Sequence, residues 1–108
     1  MNHYALMFRA TRDLTEEEKR QRATEIQAWV QQVREKGITL DPRNFQKAEA
    51  NFYGEDGAVK TREGSGDASL TTIVFFDSED REQAVNLALV HPGLRYGVTV
   101  EVREWRAP

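Results

Sequence analysis

The chain has 108 residues, 15 basic and 18 acidic side chains, a net charge of -3 at pH 7 and no cysteine. That length fits one domain, residues 1–108, which buries roughly 65% of its unfolded surface and has little core to spare. Without thiols, disulfide stapling, thiolate catalysis and a cysteine zinc site are excluded, in keeping with a reducing cytoplasm. With its charges interspersed, the chain has no basic field for nucleic acid.

His3 to Ala10 alternates Tyr4, Leu6 and Phe8 with Ala5, Met7 and Arg9, the period of a strand. The run is too short, and too close to an arginine, to span a membrane. Thr15 followed by Glu18 forms a capping-box signature, and Glu16, Glu17 and Glu18 suit the positive end of a helix. Ala23, Ile26, Trp29, Val30 and Val33 then recur at helical spacing, and Gly37 offers a stop. A helix is expected from about Glu16 to Lys36.

In the middle, Ile38 to Leu40 reads as a short strand ended by a turn at Asp41-Pro42. Strands over Phe45–Tyr53 and Ala58–Arg62 are expected to form a hairpin around Gly54-Glu55-Asp56-Gly57. The polar run containing Gly64-Ser65-Gly66 reads as a mobile loop or lid. It lacks the lysine and the following helix of a phosphate loop. Leu70 to Phe76, with little polarity on either face, suggests a central strand covered on both sides. Asp77 or Ser78 is the expected cap of a second helix carrying Ala84, Val85, Leu87, Ala88 and Leu89 and ending at Pro92-Gly93. Val98, Val100 and Val102 alternate with Thr99, Glu101 and Arg103 in a last strand.

This order predicts an α+β, ferredoxin-like βαββαβ sandwich with an inserted β-hairpin. Both crossovers take one hand, so both helices cover one sheet face. Ala5, Met7, Arg9, Thr71, Ile73, Phe75, Thr99, Glu101, Arg103 and Trp105 are left on the other, a mixture too apolar for water. A two-fold homodimer with facing sheets, a dimeric α+β barrel, is the simplest remedy.

HYALMFR, TEEEKRQRATEIQAWVQQVREKG, FFDSEDREQAVNLALVHPGLRYG and VTVEVREW together resemble the YCII-related (YCGF/DGPF-like) proteins. The resemblance covers nearly the whole chain and is most specific from Phe76 to Trp105. It implies a dimeric α+β barrel acting without a cofactor on small organic, often aromatic, molecules. The chain departs from that pattern in three places. TREGSGDAS stands where the family carries DGPF, Phe75 replaces an acidic residue, and Thr15 to Arg22 lacks the histidine of the dyad proposed for some members.

His91, at the expected end of the second helix, is a candidate catalytic acid or base whose proton affinity the helix dipole would raise, or else a helix stop. His3 reads as solvated, and two histidines so placed make no metal site. Arg9, Glu101 and Arg103 are expected on one face, either as a grip for a carboxylate or enolate or as an ion set fixing dimer register. Trp105 can line a pocket beside them or pack across the dimer. Asp41 is a turn residue or a base at a cavity mouth. The expectation is thus a cytoplasmic homodimer that binds or converts a small organic acid or aromatic with no cofactor or metal, or a non-catalytic binding or assembly module. Neither membrane nor nucleic acid is expected as a partner.

Overall fold

The computed structural model describes residues 1–64 and 66–108. Along them run β1 (Asn2–Ala10), α1 (Glu16–Glu35), β2 (Asp41–Asn44), β3 (Phe52–Glu55), β4 (Ala58–Thr61), β5 (Leu70–Ser78), α2 (Arg81–Leu89), a 3-10 helix (Pro92–Arg95) and β6 (Val98–Glu104). Four strands form an antiparallel sheet in the order β2-β5-β1-β6, while β3 and β4 pair separately as a hairpin. The protein is α+β, and the order of its larger sheet is compatible with the ferredoxin-like pattern. Among the described residues, no helix is long and apolar enough to cross a membrane.

Local chemistry accounts for the element starts. The Glu18 amide donates to Thr15 Oγ1 and the Thr15 amide to Glu18 Oε1, both at 3.1 Å, closing the expected capping box. Tyr4, Leu6 and Phe8 of β1 meet Val74 and Phe76 of β5, Trp29 and Val33 of α1, and Ala84, Leu87 and Ala88 of α2 in one core. The Trp29 indole N–H donates to the Leu87 carbonyl at 3.1 Å, tying the two helices together on the same sheet face. Gly97 is required where it stands. Its φ is +69°, and a Cβ there would come within 2.5 Å of Arg12 Cγ while Thr11 bonds its carbonyl.

Several boundaries differ from expectation. Asp41-Pro42 lies inside β2, not at a turn, because β2 is an edge strand and an edge tolerates the missing proline N–H. Ile38, expected in a strand, is instead buried in the core behind α1. β3 begins at Phe52, so the strand expected from Phe45 is irregular as far as Asn51. β5 continues through Asp77 and Ser78, which pair with His3 and Asn2, and the cap of α2 is therefore Asp80, whose carboxylate accepts from the Gln83 amide at 2.8 Å. Ala23, placed by its spacing on the apolar stripe, is exposed. The loop reading at Gly64-Ser65-Gly66 falls partly on Ser65, which lies outside the described residues.

The register puts Ala5 opposite Phe75 and Arg103, and Met7 opposite Ile73 and Glu101, all on the face away from the helices. Asp41 and Arg43 of β2 join them through their pairing with Phe75 and Ile73. β5 is central, as expected, but only its helix-facing side is closed. Phe75 and Ile73 are half-buried on a face that no helix of the described residues covers. The shortest dimension, 17 Å, is that of one helix layer on one sheet.

Candidate functional site

Trp29 and Val33 are the two buried residues of α1 and pin that helix to the body. A second ridge, Arg22, Ile26, Val30 and Arg34, runs beside them at steps of four along the same helix. It stands over the sheet without filling the space beneath. The result is a cavity of about 550 Å³ between α1 and the helix-facing side of the sheet. Phe8, Ile26, Trp29, Val30, Leu40, Val74 and Val98 supply apolar wall, while Asn44 and Thr72 add neutral polar groups.

His91 lies in this wall, only 5% exposed. It is not the last residue of α2 but the N-cap of the following 3-10 helix, with its Nδ1 accepting from the Gly93 amide at 2.9 Å. Gly93 permits that approach, since a Cβ there would meet Nδ1 at 3.0 Å. The imidazole is boxed by Phe8 and Trp29, with ring centroids 4.7 and 4.6 Å away. Burial, reinforced by the positive charge of Arg95, pushes its pKa down to about 4. This reverses the expected rise in proton affinity, because desolvation outweighs any benefit from the end of α2. Nδ1 must keep its lone pair to accept from Gly93, so the neutral ring carries its hydrogen on Nε2. Nε2 has no acceptor among the described residues and belongs to a ring that faces the cavity.

Glu25 holds the 3-10 helix in place. It accepts from Arg95 Nη2 at 2.6 Å and from the Tyr96 hydroxyl, and these bonds, Tyr96 first, hold its carboxyl below the usual range. Arg22 and Arg34 behave differently. Both border the cavity, and neither forms an ion pair among the described residues. Nor does any carboxylate of the described residues line the cavity. Sequence reasoning did not single out these two arginines. Their four-residue spacing with Ile26 and Val30 was visible, but that α1 would stand off the sheet along that ridge was not.

Arg9, Glu101 and Arg103 do come together, on the opposite sheet face. Arg9 donates to Glu101 at 2.9 Å and to Asp67 at 2.7 Å, and Arg103 reaches Glu101 at 3.3 Å. Two guanidiniums thus meet two carboxylates. Arg9, then Arg103, holds the Glu101 carboxyl below its ordinary range, and Ser69, then Arg9, does the same for Asp67. Trp105 lies two residues beyond Arg103, at the end of this group away from Arg9. It stacks on His3 at 4.7 Å and meets Phe75 edge-on at 6.1 Å, six residues along β1 from Arg9, or roughly 20 Å. His3 is itself partnered, with Nδ1 2.5 Å from Asp77 Oδ1. Asp41 pairs with Arg43 at 3.0 Å on the surface. Among the described residues, no cluster of three or more histidine and carboxylate side chains is arranged to hold a metal ion.

No protein-family model matches the chain, and no curated protein matches it at a significant level.

Proposed function

We propose that the protein is a homodimeric α+β barrel of the YCII-related type whose cavity under α1 binds a small, flat organic acid without a cofactor. The observation that carries this reading is one neutral N–H donor, His91 Nε2, in an apolar wall bordered by the guanidiniums of Arg22 and Arg34, which have no ion-pair partner among the described residues. Such a wall suits an aromatic ring, and an anionic oxygen suits both kinds of donor. The cavity volume is also that of ordinary small-molecule sites, roughly 300–1,000 Å³.

Binding is favoured over conversion. Acid–base chemistry needs a group able to take a proton, yet the one basic lone pair of His91 is engaged by Gly93 and no carboxylate of the described residues faces the cavity. The paired charges of Arg9, Glu101, Arg103 and Asp67 leave that group little to offer an anion. The dimer is supported by the uncovered face bearing Met7, Ile73 and Phe75.

Thermal melts with a panel of aromatic carboxylates test the reading. A ligand at a hundred times its dissociation constant should stabilise the fold by about 2.7 kcal/mol. His91→Phe or Arg22→Ala should weaken that response and Arg9→Met should preserve it. A panel without effect, or one whose effect vanishes only in Arg9→Met, would refute the assignment of the site.

A further inference from the structure

The chain exposes more surface than one folded copy should. Its accessible area is 7889 Å², whereas a compact monomer of its mass exposes about 6,100 Å². Its radius of gyration is 16.4 Å, against about 13 Å for a compact chain of this length. α1 and β1 each reach roughly 30 Å, so the longest dimension of 51 Å requires a projecting part. That part is the β3–β4 hairpin, which shares no sheet with the body.

The hairpin has two unlike faces. Its register places Phe52 opposite Thr61 and Val59 opposite Gly54 on one side, with Phe52 65% and Val59 81% exposed. On the other side Lys60 pairs with Glu55, and the Arg62 guanidinium lies over the Tyr53 ring at 4.5 Å. A two-stranded hairpin is marginal in water without something against its apolar face. The body does not supply that support.

We infer that the hairpin is an arm that grips a second copy of this chain, laying Phe52 and Val59 against the uncovered sheet face of that copy. The inference rests on the dimer reading above and adds what completes its interface. Four strands about 4.8 Å apart and some seven residues long present only about 450 Å² per copy. Two such faces therefore bury about 900 Å², below the roughly 1,200–2,000 Å² of stable interfaces. The chain's excess surface of roughly 1,800 Å² is enough to close that gap.

The test is sedimentation of the double variant Phe52→Glu with Val59→Glu beside wild type. Both side chains are exposed within one copy, so helix and strand content by circular dichroism should be unchanged. The dimer dissociation constant should rise at least about 100-fold, as loss of two anchors per copy implies. Wild-type affinity in the double variant would overturn the arm and leave the dimer standing, whereas a monomeric wild type would overturn both. A second measurement uses the absence of cysteine. Val59→Cys carrying a benzophenone, in mixed light and isotopically heavy copies, should cross-link between copies to β1, β5 or β6. Cross-links confined to one chain would overturn the arm.

Discussion

Between pH 7 and pH 5 the stability of this protein should be governed by one buried ring. His91 is neutral in the fold, with its pKa pushed from an ordinary 6.5 to about 4, so over this interval the unfolded chain binds a proton that the folded chain does not. A group whose folded pKa is depressed in this way gives its stability above pH 6.5 and loses it as pH falls toward 4. The full difference is about 3 kcal/mol, of which about 2 kcal/mol disappears between pH 7 and pH 5. The shifted carboxyls, Glu18, Glu25, Asp67 and Glu101, are all lowered and titrate below this window. The assay is urea unfolding at pH 7 and pH 5, at fixed protein concentration, followed by the fluorescence of Trp29, which touches the ring. His91→Asn is the control, since asparagine retains an acceptor for the Gly93 amide and cannot titrate. The variant should lose about 2 kcal/mol less than wild type over the interval. Equal losses in the two proteins would show that His91 is not held neutral by burial.

Three further outcomes follow from packing and pairing. Trp29→Ala should cost about 3 to 5 kcal/mol by emptying a buried aromatic site and orphaning the Leu87 carbonyl, measured as a shift of the denaturant midpoint. Tyr4→Phe should stabilise the fold by about 1 kcal/mol, because the Tyr4 hydroxyl is buried without a partner among the described residues; a lower melting temperature would mean that it is satisfied. Arg9→Met should lower the melting temperature and raise the Glu101 carboxyl pKa read by NMR titration, since Arg9 is the first cause holding that carboxyl low.

Periodicity and capping chemistry are local, and what they govern could be read directly from the sequence. The alternation of Tyr4, Leu6 and Phe8 with Ala5, Met7 and Arg9 required a two-faced strand, and Thr15 with Glu18 marked where α1 starts. The meeting of Arg9, Glu101 and Arg103 was legible for the same reason, because a period of two places them on one face once the strands pair. Asp41-Pro42 reads as a turn from the dipeptide alone, but proline's cost depends on whether its strand lies at an edge, which is decided by strand order. His91 departs from its sequence expectation for a related reason. Its proton affinity follows from burial between Phe8 and Trp29, residues 83 and 62 positions away in sequence, and not from the helix beside it. Arg22 and Arg34 became candidates only when tertiary packing held α1 off the sheet along their ridge. Side-chain spacing sets which residues share a face of an element, but the space between two elements is set by how their other residues pack.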